Sequence, residues 1–116
     1  MVGVVIVDKN GALNDVVSEL AKYKPAPKIF RAGNAGKAQH LLLLQTPSAV
    51  LIDDQVEGGI EVCSFIKSNP ILNQIHTVYF VSYEEDIDLR NPFVNQWYVK
   101  GIYVPDEVAG SLEQLL

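Results

Sequence analysis

Three apolar runs of this chain each end on an oxygen-bearing side chain. The runs and their polar ends are residues 4–7 with Asp8, residues 49–52 with Asp53, and residues 78–81 with Ser82. Continuous apolar runs are typical of strands that are buried on both faces of a parallel sheet. In open α/β sheets, chemistry gathers just beyond the carboxyl ends of such strands. The pattern therefore predicts one site, with two carboxylates and a hydroxyl at the same sheet edge.

The elements that would position this site alternate along the chain. Strand patterns occur at residues 4–7, 28–31, 49–52 and 78–81 and within 97–104. Helical stripes follow them: one capped by Asn10, one over residues 36–45, one between Gly58-Gly59 and Pro70, and one over 106–116. The segment 84–96 is a poor helix, because Asn91-Pro92 interrupts it. The count is five strands and about five helices.

This alternation predicts a three-layer, flavodoxin-like (βα)5 architecture with right-handed crossovers and a five-stranded parallel sheet. Residues 28–31 form a short segment in which polar and apolar side chains alternate with a period of two, as expected of an edge strand. A strand order of 2-1-3-4-5 puts that strand at the edge and brings strands one, three and four together. These three strands carry Asp8, Asp53 and Ser82.

Length and composition limit the classes of function. The 116 residues suffice for one domain, spanning residues 1–116. The net charge of −5 argues against nucleic acid or an anionic membrane as a direct partner. The single cysteine, Cys63, excludes an internal disulfide and a multi-cysteine metal site, and its place on a helical stripe predicts a core residue. No run reaches membrane-spanning length and no secretion signal is visible, so we expect a cytoplasmic protein.

Four segments follow one another along the chain: residues 4–10, residues 47–53, residues 59–70 and residues 78–82. In this order they resemble the receiver domains of two-component response regulators, the CheY-like family. The resemblance covers nearly the whole chain. It implies that Asp53 accepts a phosphoryl group from a histidine kinase, a phosphotransfer protein or a small phosphodonor. It also implies that Asp8 helps to hold Mg²⁺, that Ser82 hydrogen-bonds the phosphoryl oxygens, and that the chain is not itself an enzyme.

Taken singly and without the resemblance, each aspartate is better explained as a cap of the helix that follows it than as a catalytic residue. The joint placement of Asp8 and Asp53 on adjacent strands, together with the resemblance, favours the functional interpretation of Asp53. Ser82 is equally compatible with an ordinary turn residue. We expect Asp54 to be exposed.

The sequence departs from the family pattern beside the phosphoacceptor position. Lys9 stands where the family has a second acid, commonly the direct metal ligand. Two unit charges about 4 Å apart interact by about 4 kcal/mol at an effective dielectric near 20, so an ammonium there turns attraction for Mg²⁺ into repulsion of that order. Lys9 could point inward and neutralise Asp8 or Asp53, or point to solvent. The loop over residues 54–59 is shorter than the family's and lacks its proline.

The family's lysine before the last strand's proline can be placed in two ways. Counting forward from Ser82 without gaps brings Val104-Pro105 to that position, so the lysine is absent and the strand falls at 102–104. A shorter fourth helix instead aligns residues 97–100 with the strand and makes Lys100 the phosphate-contacting cation. The first alignment is preferred, and under it Lys9 is the only cation near the pocket.

Aromatic and leucine residues outside the site have two interpretations. Trp97, Tyr98 and Tyr103 are either core residues or anchors on the partner face that receivers build from the fourth helix, fifth strand and fifth helix. The leucines at 41–44 cannot all face the core, and we expect Leu43 to be exposed and Leu44 to face inward.

Three functions are consistent with these observations. The favoured one is a degenerate receiver, or pseudo-receiver, with weak or absent phosphorylation of Asp53, which acts through contacts with signalling proteins or as a homodimer. The second is a fully active receiver that uses Mg²⁺, Asp8, Asp53 and Lys100. The third is a flavodoxin-like protein that binds a small ligand. The absence of a glycine-rich loop after the first strand argues against it.

Overall fold

Five short strands form one parallel sheet. They are β1 (Gly3–Val7), β2 (Lys28–Ala32), β3 (Ala49–Asp53), β4 (His76–Val81) and β5 (Gln96–Val99). The computed structural model describes residues 2–116, and its strands pair in the order β2-β1-β3-β4-β5. The predicted α/β class, parallel direction and strand order are therefore confirmed.

The register of the central strands aligns their carboxyl ends. Val7 at the end of β1 pairs with Ile52 of β3, and Asp53 pairs with Phe80 of β4. The edge strand β2 extends to the same level, because Ala32 pairs with Val7. Side chains that follow these strands therefore start from one edge of the sheet.

Four α-helices cover the two faces of the sheet. They are α1 (Asn14–Leu20), α2 (Ala35–Gln45), α3 (Gly59–Ser68) and α4 (Pro105–Ser111). Helices α2 and α3 lie on one face, and α1 and α4 lie on the other. In the part of the chain that the structure describes, no helix is both long and apolar enough to cross a membrane.

The two faces alternate along the strands, as buried parallel strands require. On β3, Val50 and Ile52 pack toward α2 and α3, whereas Leu51 packs toward α1 and α4. Phe80 of β4 is fully buried on the α1–α4 face and stacks on Tyr98, with ring centroids 5.5 Å apart.

Three helix predictions need correction. The connection between β4 and β5 contains only a 3₁₀ turn, Glu84–Asp86, and no fifth α-helix is present within residues 2–116. The last helix does not run over 106–116, because α4 ends at Ser111 and a 3₁₀ turn, Glu113–Leu115, follows. Asn10 does not cap α1, because its φ of 57° puts it in a left-handed turn before the helix.

Residues of the predicted stripes fall mostly where expected. Cys63 is buried in the core, and burial raises the pKa of its thiol to about 12. Leu43 is exposed, as predicted. The prediction that Leu44 faces inward is wrong, since it is 62% exposed. Ala38 and Leu42, one turn apart, take the inward positions of α2, and Leu44 lies two residues round the helix from Leu42.

A close approach between α3 and the sheet requires glycine at the start of that helix. A Cβ at Gly59 would lie 2.8 Å from Ile52 Cγ2 and 3.4 Å from Tyr79 Cε2. Both side chains belong to the packed core. The absence of a side chain at Gly59 therefore sets how closely α3 approaches β3 and β4.

We predict that Gly59→Ala lowers the free energy of unfolding by about 1–3 kcal/mol, because core overpacking forces neighbouring atoms to shift. The matched control is Gly110→Ala at an exposed position of α4, where a Cβ would meet nothing within 4 Å. This control should gain roughly 0.5–1 kcal/mol, since alanine loses less backbone entropy than glycine in a helix. Urea denaturation followed by circular dichroism measures both, and a neutral Gly59→Ala would contradict the packing argument.

Candidate functional site

Lys100 occupies the centre of a charge cluster at the carboxyl edge of the sheet. It follows β5 directly, and its backbone N–H donates to the Val81 carbonyl at 2.8 Å. Its Nζ lies 2.6 Å from Asp53 Oδ1 and 2.7 Å from Asp54 Oδ1. Burial alone would lower the pKa of Lys100, but the two carboxylates outweigh it and raise that pKa above its usual value.

The preferred placement of the last strand at 102–104 is wrong, and the alternative alignment is right about the strand. Strand β5 is Gln96–Val99, and Gly101 follows Lys100 with a φ of +86°, which turns the chain away from the sheet. Ile102 is 74% exposed in the turn that leads to α4. The ungapped count from Ser82 failed because the β4–β5 connection lacks a helix and is short.

Asp53 ends β3 and is completely buried. Its contact with Lys100 is an ion pair, with Nζ and Oδ1 2.6 Å apart. Apart from this ion pair, neither carboxylate oxygen has a hydrogen-bond partner within residues 2–116. Taking a carboxylate out of water costs several kcal/mol unless an opposite charge offsets it. The ammonium of Lys100 is therefore the group that compensates Asp53.

Asp54 was expected to be exposed, and that expectation is wrong. Its side chain is 16% exposed, and Oδ2 accepts a 2.6 Å hydrogen bond from the Ser82 backbone N–H. Oδ1 accepts from Ser82 Oγ at 3.1 Å and contacts Lys100. Burial opposes ionisation, but the hydrogen bonds from Lys100 and Ser82 outweigh it and hold the pKa of Asp54 below its usual value.

Ser82 lies beside the cluster, as the strand order predicts, but its hydroxyl is already engaged. It donates to Asp54, and it accepts a long 3.5 Å hydrogen bond from Gln55 Nε2. The sequence carries one signal for this arrangement, the Asp53-Asp54 pair at a strand end. Consecutive strand side chains point to opposite faces, so the pair by itself does not show that both carboxylates reach one lysine.

Asp8 makes a separate pair on the other side of β3. Its Oδ2 accepts a hydrogen bond from Arg31 Nη2 at 2.8 Å and another from the Leu13 N–H at 2.9 Å. Asp8 therefore joins Arg31 to the backbone just before α1, and its side chain does not cap that helix. Arg31 of β2 was not singled out from the sequence. The pairing of β1 with β2 brings Arg31 close to Asp8, because their sequence neighbours Ala32 and Val7 are paired.

Lys9 is exposed and takes part in none of the ion pairs formed by residues 2–116. Of the two orientations considered, it adopts the one toward solvent. The expectation that Lys9 is the only cation near the pocket is wrong, because Lys100 provides that charge.

The side chains present do not fit a Mg²⁺ site of the kind the resemblance implies. Mg²⁺ prefers octahedral oxygen coordination that includes one or two carboxylates. Here Asp8 is bound to Arg31, Asp53 is paired with Lys100, and Lys9 replaces an acid. Within residues 2–116, no three His, Cys, Asp or Glu side chains are placed to share a metal ion.

The three aromatic candidates for a partner surface are half-buried. Tyr98 and Tyr103 pack around Phe80, and the Tyr103 hydroxyl donates to Asp15. Trp97 lies on the opposite face, edge-on to Tyr79. All three therefore contribute to the packing of the sheet, and a role as interface anchors stays a prediction.

Comparison with known proteins shows the fold. No protein-family model and no curated protein sequence matches the chain. Among solved structures, it is similar to the signal receiver domain of the DNA-binding response regulator protein merR from Colwellia psychrerythraea 34H. That likeness has a TM-score of 0.85 and 21% identity, over 99% of this chain and 98% of that one.

Two further structures have the same architecture. The chemotaxis response regulator CheY4 of Vibrio cholerae matches with a TM-score of 0.80 and 14% identity, over 100% of this chain and 99% of that one. The Mn²⁺-bound form of the response regulator Rcp1 matches with a TM-score of 0.77 and 20% identity, over 98% and 93%. The chain therefore has the fold of these response regulators.

We predict that Lys100→Met destabilises the protein by about 3–5 kcal/mol, because it leaves a buried carboxylate without its partner. The double variant Asp53→Asn/Lys100→Met removes that charge and should recover most of the loss. Lys22→Met, which breaks an exposed pair with Glu19, is the control and should cost at most about 1 kcal/mol. Urea denaturation gives all three values, and a Lys100→Met loss as small as that of the control would contradict the assignment.

The depressed pKa of Asp54 predicts a pH-dependent contribution to stability. Its folded pKa lies below the unfolded value of about 3.9, so the ionised carboxylate stabilises the fold above that pH. The contribution is lost as the pH falls through the lower, folded pKa. At neutral pH the free energy of unfolding of the wild type should therefore exceed that of Asp54→Asn by about 1.5–3 kcal/mol, the range of a hydrogen bond to a charged group. The gap should narrow below about pH 4.

Urea midpoints measured at several pH values between neutral and acidic check this, with the exposed Asp106→Asn as the control. A gap between wild type and Asp54→Asn that stays constant with pH would show that the ionised carboxylate is not the source of the stability.

Proposed function

We propose that this chain is a receiver-type signalling module whose switch is held by its own Asp54 carboxylate rather than by phosphorylation of Asp53. One observation carries the proposal: Asp54 contacts both Ser82 and Lys100. In the receiver family that the sequence resembles, those positions contact the phosphoryl oxygens. The likeness of the fold to response regulators supports the same class of function.

The chemistry of Asp54 suits it to stand in for a phosphoryl group. A phosphoryl group presents strong acceptor oxygens and nearly two negative charges. Asp54 presents two oxygens and one charge, and both oxygens accept from Ser82 at 2.6 and 3.1 Å. Lys100 adds a charge contact at 2.7 Å. The Ser82 hydroxyl and the Lys100 ammonium, which would bind a phosphoryl group on Asp53, are thus already bound to Asp54.

The surroundings of Asp53 disfavour its phosphorylation. The carboxylate is fully buried and paired with Lys100, so a phosphodonor would have to displace that ammonium. The acid that would offset the incoming charge through a metal ion is replaced by Lys9. Phosphorylation of Asp53 is therefore weak or absent, and we assign the chain no enzymatic activity.

The output of such a module is contact with other proteins. Candidates are a histidine kinase, a phosphotransfer protein, another signalling protein or a second copy of the chain. The partner face expected from the fourth helix, fifth strand and fifth helix differs here, because a segment with only a 3₁₀ turn, residues 84–95, stands in place of the fourth helix.

A fully active receiver is the second candidate, and one observation favours it. Asp53 Oδ2 is buried without a hydrogen-bond partner in the described chain, and Lys100 lies beside the same carboxylate. An acceptor carboxylate with one free oxygen next to a phosphate-binding cation is what this alternative requires.

Acetyl phosphate with Mg²⁺, followed by intact-mass measurement, separates the two candidates. We predict no phosphoryl adduct on the wild-type chain and detectable labelling of the double variant Lys9→Asp/Asp54→Ala. That variant restores the missing acid and frees Ser82 and Lys100. Adding Asp53→Asn to it should abolish the label, which controls for modification elsewhere. Full labelling of the wild-type chain would establish the active receiver and overturn the proposal.

A further inference from the structure

A groove lies between α3 and the segment that joins β4 to β5. It has a volume of about 300 Å³. The helix expected in this connection is replaced by residues 84–95, of which Ile87, Phe93 and Val94 pack on the sheet. Between that segment and Ile60 of α3, the α2–α3 face above β4 and β5 stays accessible.

Three acidic side chains line the groove, Asp54, Asp86 and Asp88, together with the neutral Asn91. Asp54 shares the single charge of Lys100 with Asp53, whereas neither Asp86 nor Asp88 pairs with a cationic side chain of residues 2–116. Both are exposed at the rim. The groove therefore carries uncompensated negative charge in front of an aromatic wall.

Tyr79 supplies a second, independent polar group in that wall. The residue is 9% exposed and lines the groove. Burial, followed by the nearby Asp54 carboxylate, raises its pKa to about 12, so the hydroxyl stays protonated. That hydroxyl forms no hydrogen bond with any other residue of the described chain. The side chain of a residue that is nine-tenths buried thus presents to the groove a hydroxyl without an internal partner, which is free to bind a polar group supplied there.

Trp97 completes the wall beside Tyr79. The two rings meet edge to face, with centroids 5.6 Å apart and an interplanar angle of 65°. The indole is half-buried, so part of it stays open to an occupant. Aromatic rings flanked by carboxylates attract cations, and tryptophan does so most strongly among side chains.

We propose that this groove binds the guanidinium of an arginine side chain presented by a partner protein. A planar guanidinium can lie against an aromatic ring while its N–H groups donate to carboxylates and hydroxyls in its plane. Lysine offers only a point charge and does not match this combination of groups. The inference deepens the proposed function, on which it rests for the expectation that the ligand belongs to a protein.

The position of Asp54 links the groove to the charge cluster. The same carboxylate lines the groove and contacts Lys100 and Ser82. A guanidinium that reaches Asp54 competes with Lys100 for its oxygens. Occupation of the groove thereby alters the hydrogen bonds between Ser82 and Asp54.

The single tryptophan of the chain provides the measurement. The blocked peptide acetyl-Gly-Arg-Gly-amide is titrated into the full chain while Trp97 fluorescence is followed. Its matched control replaces arginine by citrulline, which keeps the shape and removes the charge. We expect a saturable change with the arginine peptide and none with the citrulline peptide at the same millimolar concentrations.

Two charge-matched double variants locate the binding. Asp86→Asn/Asp88→Asn should weaken binding by about tenfold, the combined effect of two exposed charge contacts. The Asp88→Asn change keeps a side-chain oxygen that can accept from the Arg90 N–H, so the local turn is preserved. Asp106→Asn/Glu107→Gln removes the same charge from α4 on the opposite face and should change affinity less than twofold. Circular dichroism confirms that both variants fold.

Three results would overturn the inference: equal binding of the citrulline peptide, an equal loss in both variants, or no saturable change in Trp97 fluorescence. Failure of the groove is distinguishable from failure of the proposed function. Peptide binding does not depend on phosphorylation, and acetyl phosphate labelling does not depend on Asp86 or Asp88.

Discussion

The ion pair between Asp53 and Lys100 is the constraint on which the arrangement of this edge depends. A carboxylate with no exposed surface and no hydrogen bond needs an opposite charge close by. Lys100 reaches it because β5 ends directly before that residue and Gly101 then turns the chain away. The same ammonium also binds Asp54, which in turn holds Ser82. One buried charge thus fixes the end of β5, the side chain after β3 and the hydroxyl after β4.

Two separate sets of ion pairs divide the predicted site: Asp8 with Arg31, and Asp53 and Asp54 with Lys100. Asp8 and Asp53 follow adjacent strands, yet Arg31 binds the first and Lys100 binds the second. In each case a basic side chain pairs with the carboxylate. The negative charge of this edge is therefore largely offset by side chains of the chain itself.

The short connection between β4 and β5 has two consequences. It removes the helix that would cover the α2–α3 face, which leaves the groove beside Tyr79 and Trp97. It also makes β5 end early in the sequence, at Val99, so that Lys100 rather than a later residue lies at the sheet edge. The groove and the cluster therefore share a structural origin, and Asp54 belongs to both.

The sequence by itself determined the sheet, because apolar runs, breaks and one weak edge strand suffice to specify a parallel order. It also located Asp53, Ser82 and Asp8 at neighbouring strand ends. It misplaced the last strand, since residues 102–104 are as apolar as residues 97–99 and local propensity cannot choose between them. Only tertiary structure decided which side chains pair. The contacts of Asp8 with Arg31, of Asp53 with Lys100 and of Asp54 with Ser82 join residues that are at least 23 positions apart, and no local pattern encodes a distance of that kind.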